Sequence, residues 1–433
     1  MPLWPARCRV GASTAPEDTA VTTHDTATRP PRPTLFTPAF TALAAASLAY
    51  FTADGMLIPA LARYVEGPLG GGNVAVGVVF GTFSVSAVLL RPVAGIVGDR
   101  RGRRPLMLVG ASIFAVSVLA YGLAPTPAVL AGIRLVTGAG EALFFVGMAT
   151  AFTDMAPPER RGEAMSLASL ALYLGIGTGP VIAEVTMAYL GFTAVWVMAA
   201  TSALLAVALV SRVAETRPDD EGVPDGVTPA PADRRLVHPA GLLPGFVLLT
   251  SIVGMAGFLA FVPLHVLDIG MGGSSLVLGL FAGVVVTVRS AGARLPDLLG
   301  PARAIRAALA LSVVGLATAG VWQVPVGLVV GTAVLALGIA LLTPSVFALA
   351  VADVPARERG QVMGTTTAFI DIAFGAGPVT MGLVAAALGR PAVFLAGAVA
   401  AAVGLVVVTV VRLGVPRPLT VSVSPVTPRP VGE

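Results

Sequence analysis

Long apolar runs, each of about 20 residues and nearly free of charge, follow one another along this chain of 433 residues. A run of that length is what an α-helix needs to span the hydrocarbon core of a bilayer. Inside a bilayer every backbone N–H and C=O must bond within the protein, so only helices or closed barrels can cross it. The runs are continuous in Leu, Val, Ala and Gly and lack the short alternating segments of a barrel. They predict an all-α integral membrane protein.

The composition agrees with this interpretation. Hydrophobic residues make up 56% of the chain and charged residues only 12%, whereas a soluble domain is about a quarter charged. The single cysteine, Cys8, excludes an intramolecular disulfide. Residues 1–36 are polar and lack the apolar core of a cleavable signal peptide. We expect them to form a disordered cytoplasmic tail.

Polar breaks between the runs predict twelve transmembrane helices. Their approximate limits are 37–60, 74–97, 105–124, 128–152, 164–188, 191–212, 241–266, 275–293, 303–322, 325–350, 362–387 and 390–412. A polar linker, residues 214–240, divides them into an N-terminal six-helix bundle (37–213) and a C-terminal one (241–413). Residues 414–433 are expected to be a second disordered cytoplasmic tail.

The placement of arginine predicts how the spans are oriented. Of the 27 basic residues, only Arg63 and Arg390 fall in loops on one side, and Arg91, Arg134 and Arg289 fall inside predicted spans. The others lie in the loops of the opposite side, in the linker and in the tails. Basic loops favour the cytoplasmic side of a membrane. We therefore expect both termini in the cytoplasm and the protein in the inner (plasma) membrane.

A shift of 198 residues aligns the two halves of the chain. The segment GEAMSLASLALYLGIGTGP, from residue 162, then faces GQVMGTTTAFIDIAFGAGP, from residue 360. The same shift pairs Arg91 with Arg289, Asp99 with Asp297, Gly102 with Gly300 and Gly191 with Gly389. One register kept across separate helices indicates a tandem duplication of a six-helix unit. Parallel repeats of this kind are typical of transporters, whose substrate site lies near the bilayer midplane between the repeats.

Three motifs in the first half carry a family resemblance. After the second predicted helix, a loop motif is formed by Gly95, Asp99, Arg100, Gly102, Arg103 and Arg104. The fourth helix contains Arg134-x-x-x-Gly138-x-Gly140, and the fifth contains Gly175-x-x-x-Gly179-Pro180. Over residues 37–412 the chain resembles the major facilitator superfamily, and the helix 5 motif resembles its drug:proton antiporter (multidrug efflux) branch. Ala183 and Glu184 stand where that branch usually has a glycine pair.

The loop motif, which we call the gate loop (residues 95–104), also has a physical interpretation. Gly95 permits close helix packing in a membrane, and Gly102 can take a positive φ. Asp99 can cap its own turn, accept from an arginine, or meet the positive dipole at the start of a neighbouring helix. The resemblance implies that this neighbour is the eleventh helix, beginning near Gln361. It also implies that their contact is a latch that closes the inner gate when the protein faces outward.

Seven ionisable residues fall inside the predicted spans, namely Asp54, Arg91, Arg134, Glu141, Glu184, Arg289 and Asp371. A charge at the bilayer centre costs about 2.5–3.5 kcal/mol on insertion scales, so each needs a partner or water. Arg91 and Arg289 lie near the inner boundary, where long side chains can reach the interface, which favours a structural role. Glu184 lies near the outer end, where water can solvate it.

Four residues remain as candidates for proton coupling and for the substrate cavity. Asp54 and Arg134 each lie about six residues from the outer end of their helices, at a similar depth of roughly 9 Å. Glu141 follows Arg134 by two turns on nearly the same face. Asp54 and Glu141 either couple to protons or neutralise Arg134 structurally. Asp371 either binds substrate or satisfies neighbouring backbone groups, and the resemblance implies a coupling role for Arg134.

These observations predict a secondary transporter that exports a small amphipathic or hydrophobic compound in exchange for protons. We expect it to work as a monomer, with the proton gradient as its energy source, no cofactor and no metal. A proton symporter or facilitator importing a small metabolite is the nearest alternative, and a non-transporting receptor or scaffold is the alternative of another class. The sequence contains no phosphate-binding loop, His/Cys metal cluster or nucleophile elbow, so an enzyme is not expected. We also expect no nucleic-acid partner.

Overall fold

The structure, a computed structural model, describes residues 37–157, 160–216, 237–291, 298–352, 354–355 and 358–411. All regular elements in these ranges are helical, as predicted. The α-helices are α1 (Pro38–Glu66), α2 (Asn73–Arg101), α3 (Arg103–Leu119), α4 (Pro127–Met155), α5 (Arg161–Val210), α6 (Pro239–Asp268), α7 (Ser275–Ala291), α8 (Pro301–Val321), α9 (Pro325–Val351), α10 (Arg359–Leu388) and α11 (Pro391–Val410). The two predicted tails, most of the predicted linker and Asp297 lie outside the described residues.

Proline marks the start of many helices. It stands at the first position of α1, α4, α6, α8, α9 and α11, where its missing N–H would have had no intrahelical partner and its fixed φ suits the helix. Two of these starts are also capped by a threonine. The Thr37 hydroxyl accepts from the Phe40 N–H at 3.2 Å, and the Thr126 hydroxyl accepts from the Val129 N–H at 3.3 Å.

The segment α5 differs from the two separate helices predicted at 164–188 and 191–212. Helical structure runs over 50 residues and is interrupted at Gly191, which has φ 76° and ψ −177°. Residues 161–190 and 192–210 therefore form two arms. Within the described ranges, ten helices are long and apolar enough to cross a membrane, and α7 is a shorter apolar helix. The total of twelve spans stays a prediction.

Two hydrophobic cores hold the helices together. The first lies mainly among α1–α5, where α1 packs against both arms of α5. A Cβ added at Gly55 of α1 would lie 2.6 Å from the Gly175 carbonyl oxygen, and the Ser202 hydroxyl donates to the Ala49 carbonyl at 2.8 Å. The second core lies mainly among α6–α11 and includes the buried ring of Phe258. Small residues permit this close helix contact.

The backbone carries the 198-residue repeat that the sequence predicts. Gly102 and Gly300 both have positive φ, 99° and 76°, at the starts of α3 and α8. Gly191 and Gly389 also match, with φ of 76° and 85°. These values lie in a region that favours glycine. The two halves therefore turn at equivalent positions, and helices from the two halves meet at α1–α6 and at two crossings, α2 with α10 and α5 with α7.

Candidate functional site

Glycines bring α2 and α10 into backbone contact at one end of the molecule. A Cβ added at Gly77 would lie 2.2 Å from the carbonyl oxygen of Pro378. One added at Gly81 would lie 2.4 Å from the carbonyl oxygen of Gly375. Real Cβ atoms do not approach backbone oxygens so closely, so only glycine allows this contact. We call this end, which carries the loop before α2, the closed end.

The same two helices separate towards the gate loop. Gly95 follows Gly77 by five helical turns and lies on the same face of α2, yet a Cβ added there would meet nothing within 4 Å. Gly364 has the same relation to Gly382 on α10 and is equally open. The close contacts between α2 and α10 therefore lie at the closed end and are missing at these two glycines, and we call the gate-loop side of the crossing its open side.

A carboxylate seals the second crossing, between α5 and α7. Glu184 accepts from the backbone N–H groups of Ser274 at 2.6 Å and Ser275 at 2.9 Å, and from both serine hydroxyls. Arg63 of α1 adds an ion pair at 2.9 Å. Because Ser275 begins α7, the carboxylate also meets the positive end of that helix. The expectation that water solvates Glu184 is wrong, since only 10% of its side chain is exposed.

A second arginine joins loops from both halves at the closed end. Arg390, which precedes α11, donates to both carboxylate oxygens of Asp268 at 2.8 and 2.9 Å, and it pairs with Glu66 at the end of α1. Partial burial lowers the pKa of the Arg390 guanidinium, but arginine stays protonated in proteins. The two arginines predicted in outer loops, Arg63 and Arg390, thus each anchor one contact between the halves.

Three charged side chains meet between the halves, the half-buried Arg91 and two buried carboxylates. Arg91 of α2 pairs with Asp371 of α10 at 2.6 Å and with Glu141 of α4 at 3.6 Å. Its guanidinium carbon lies 4.9 Å from the centre of the Phe145 ring. The second carboxylate oxygen of Glu141 is buried without a hydrogen-bond partner. Two predicted candidates, Glu141 and Asp371, are therefore joined through one cation.

Arg91 is the residue that sequence analysis missed in this cluster. Its position near the inner boundary indicated a side chain that reaches towards the headgroups. The structure instead directs the guanidinium to Asp371, on the opposite half. Helical spacing places Arg91 nearly four turns after Gly77 on the same face of α2, but only the structure shows that this face contacts α10.

Arg134 and Asp54 form a neighbouring group within the first half. The Arg134 guanidinium donates to the Val79 carbonyl and to the Tyr121 hydroxyl, each at 3.3 Å, and lies 4.4 Å from the centre of the Phe83 ring. It interacts electrostatically with the half-buried Asp54 but forms no direct ion pair with it. The similar depth predicted for the two residues agrees with this proximity.

Glu141 connects the two groups. Its carboxylate interacts electrostatically with Asp54 as well as with Asp371 and Arg91. All four predicted candidates thus belong to one network of buried charges, which the low dielectric of the interior strengthens. In the part of the chain that is described, no three His, Cys, Asp or Glu side chains stand together as metal ligands.

Two residues of the gate loop, Asp99 and Arg103, form ion pairs within the first half. Asp99 pairs with Arg103 at 2.7 Å, and Arg103 also pairs with Asp154 of α4 at 3.2 Å. Glu215 caps α3 by accepting from the N–H groups of Arg103 at 2.7 Å and Arg104 at 3.1 Å. The Asp99 side chain is 72% exposed. The predicted latch between Asp99 and α10 concerns the opposite state and stays a prediction.

The helix 5 motif is a packing surface in this structure. A Cβ added at Gly175 would lie 2.5 Å from the Phe51 carbonyl carbon, and one at Gly179 would lie 2.5 Å from the Thr52 carbonyl oxygen. Pro180 follows directly inside α5. The motif therefore holds α5 against α1, the helix that carries Asp54.

Comparisons with known proteins agree on one family. The family model described as Major Facilitator Superfamily matches residues 43–325 and 292–432. An uncharacterized MFS-type transporter of Salmonella typhimurium is 26% identical over 382 residues, covering 84% of this chain and 94% of that protein. Two solved structures share the fold. The nucleoside transporter NupG has a TM-score of 0.71 at 14% identity, covering 86% of this chain and 99% of its own. The human organic anion transporter MFSD10 has a TM-score of 0.64 at 20% identity with the same coverage.

Proposed function

The chain belongs to the major facilitator superfamily, a family of multi-pass membrane transporters, and on that premise we propose that it is a proton-coupled exporter. It would move a small amphipathic or hydrophobic compound outward in exchange for protons, by alternating access between its two halves. The observation that carries the proposal is the charge cluster of the half-buried Arg91 and the buried Glu141 and Asp371, which bridges the halves.

The proposal includes twelve spans with both termini in the cytoplasm. The interruption of α5 at Gly191 supports two spans in that segment, and α7 supplies a shorter one beside the other long helices. The clustering of arginine in the gate loop and its absence from most opposite loops support a cytoplasmic gate-loop end. In that orientation the present state is open to the cytoplasm and closed to the outside.

Alternating access requires two sets of contacts that are not made together. The contacts that hold this state lie at Gly77, Glu184 and Arg390 on the closed end. Opening that end would free the gate loop to approach α10, where the Asp99 latch would hold the opposite state. Each half would then move as a packed unit.

The charge balance of the cluster supports proton coupling. One guanidinium faces two carboxylates, and the Glu141 oxygen that has no partner is free to take a proton. A single added proton neutralises the cluster, so proton binding changes the attraction between Arg91 and Asp371 across the halves. Arg134 and Asp54 lie within electrostatic reach and would modulate this exchange. The glycine-proline motif at Gly179 supports export, as in the antiporter branch that the sequence resembles.

Transport of protons can be measured in proteoliposomes that contain a pH-sensitive dye. With a proton gradient imposed, a panel of amphiphilic compounds is added from the side that the gate loop faces. We expect a transported compound to dissipate the gradient in the wild type. Glu141→Gln and Asp371→Asn should reduce this proton flux at least tenfold while leaving the protein folded in the membrane.

The matched control is Glu163→Gln, because Glu163 is an exposed acid that pairs with Arg160 outside the cluster. It should leave the flux unchanged. Counterflow of compound without proton movement would contradict proton coupling and leave a facilitator. Proton flux in the same direction as the compound would contradict export and identify a symporter.

A further inference from the structure

One arginine at the junction of the two halves has no partner of opposite charge among the described residues. Arg289 of α7 is half-buried, and its guanidinium carbon lies 4.7 Å from the centre of the Tyr173 ring on α5. Its Nε atom is buried without a hydrogen-bond partner. None of the described acids comes within ion-pair distance of it. The guanidinium therefore rests on an aromatic face, a favourable cation–π contact that leaves its charge unneutralised.

The repeat shows what is missing beside Arg289. The 198-residue shift pairs Arg289 with Arg91, and it pairs Tyr173 with Asp371. In one crossing the arginine meets a carboxylate at 2.6 Å, and in the other the equivalent arginine meets a phenol ring. The duplicated geometry is kept, but the second site lacks the acid that an arginine in a spanning segment needs.

The site lies beside the α5–α7 crossing, on its open side. Gly177 and Ala282 are in contact at that crossing. Arg289 follows Ala282 by two turns on the same face, about 10 Å towards the gate-loop end. Tyr173 precedes Gly177 by one turn in the same direction. A compound entering between the halves from the gate-loop end would reach Arg289 before the crossing stops it.

We propose that Arg289 binds an anionic group, a carboxylate or sulfonate, of the transported compound. This inference rests on the proposed transport function and specifies its substrate class as small amphipathic organic anions. The planar guanidinium binds a carboxylate through two parallel hydrogen bonds, and the ring of Tyr173 holds it in place on one face. The acid-rich cluster around Arg91 would take the proton, and Arg289 would take the anion, at equivalent positions of the two halves.

Binding can be tested without any proton coupling, by thermal stabilisation of the purified full-length protein. The probes are 4-phenylbutyrate, its neutral amide 4-phenylbutyramide and the cation 4-phenylbutylamine, which share one apolar body. We expect phenylbutyrate to stabilise the wild type most, and Arg289→Gln to weaken its apparent affinity at least tenfold. Arg289→Lys should restore part of the affinity because it keeps the charge. Arg303→Gln, which removes an exposed arginine from α8, should bind as the wild type does.

Preferential binding of the amide or the amine, or equal binding of phenylbutyrate by wild type and Arg289→Gln, would overturn the proposal. If none of the three probes binds, the accessibility of position 289 to an anion is measured instead. A Cys8→Ser, Arg289→Cys protein is treated with the anionic reagent 2-sulfonatoethyl methanethiosulfonate. Modification of the introduced thiol would support an anion-accessible site, and absence of modification in the folded protein would overturn it.

The two proposals fail in different ways. Proton flux driven by neutral or cationic compounds, without Arg289-dependent anion binding, would overturn the anion site and leave the exporter. Anion binding that depends on Arg289, with transport that moves no protons, would overturn the coupling and leave the anion site.

Discussion

The two crossings between the halves occupy equivalent positions in the repeat but are held by different chemistry. At the closed end, α2 meets α10 through glycines, with the Gly77 backbone against Pro378. The equivalent crossing of α5 and α7 is held by the Glu184 carboxylate, which bonds to Ser274 and Ser275. Further from the closed end, the carboxylate belongs to the other crossing. There the α2–α10 crossing carries an ion pair and the α5–α7 crossing carries an arginine on a ring.

This difference separates what a duplicated fold must keep from what it can change. Both crossings need two helices from opposite halves to meet at the closed end and to diverge beyond it. Close backbone packing can supply most of the contact, as glycines do beside one hydrogen bond from Asn73 to the Ala385 carbonyl, or a carboxylate can supply it, as Glu184 does. A crossing held by shape should be disrupted by added volume, and a crossing held by charge should be disrupted by loss of charge.

The largest effect is expected from Gly77→Val. The added Cβ would lie 2.2 Å from a backbone oxygen, and no side-chain movement can relieve that contact. Overpacking of this kind costs about 1–3 kcal/mol, so α2 must move away from α10. We expect transport to be abolished and the closed end to open. Distances between spin labels in Cys8→Ser, Pro68→Cys, Gly272→Cys protein measure the opening, because these loop residues belong to opposite halves of that end.

The control for Gly77→Val is Gly279→Val on α7. A Cβ there would meet nothing within 4 Å, so the label distances should match those of the wild type. Unchanged distances in Gly77→Val as well would show that the glycine contact does not hold the closed end. The α2–α10 crossing would then have to be held by contacts other than that of Gly77.

A smaller but clear effect is expected from Glu184→Ala. The change removes the acceptor for two serines and leaves Arg63 without its carboxylate. Hydrogen bonds to a charged group contribute about 1.5–3 kcal/mol, so the population open at the closed end should rise roughly tenfold or more. Glu163→Ala, at an exposed ion pair, should leave the same label distances unchanged. Equal distances in both variants would argue that Glu184 only fills space.

Parts of this arrangement could be predicted from the sequence because they depend on local chemistry. Apolar runs indicated the helices, and the positive φ that Gly102 takes was expected from a turn that glycine makes easily. The partner of Arg91 could not be predicted in this way. It depends on the rotation and depth of two helices from opposite halves, which no single run encodes.

Glu184 escaped sequence analysis for a different reason. Its position near a helix end is compatible with water, and four of its five donors belong to the opposite half, so they depend on how the two halves pack. The same argument applies in reverse to Asp99, whose predicted latch belongs to the other state. Residues whose partners change between states are the ones that sequence reasoning assigns least completely.

A third prediction concerns the two equivalent arginines, and it gives the α5–α7 crossing the carboxylate that the α2–α10 crossing has. Tyr173→Asp gives Arg289 the carboxylate that Asp371 gives Arg91. We expect the new acid to compete with phenylbutyrate and to raise the concentration needed for half-maximal stabilisation roughly fivefold, about 1 kcal/mol. Tyr173→Phe keeps the ring under the guanidinium and should bind as the wild type does. Unaltered binding in Tyr173→Asp would show that position 173 does not face the bound anion.

The smallest effects on the contact between the two halves are expected at turns where both halves share the same chemistry. Gly191 and Gly389 are repeat partners with φ of 76° and 85°, and added Cβ atoms would meet nothing closer than 3.8 Å. Alanine at either position therefore pays only for its backbone conformation, about 1–3 kcal/mol. Gly191→Ala and Gly389→Ala should lower the apparent melting temperature by equal amounts, while Gly132→Ala, inside α4 and unhindered, should not lower it. A cost in one half only would mean that its turn is held by something other than the shared glycine, and that the duplication no longer constrains both turns alike.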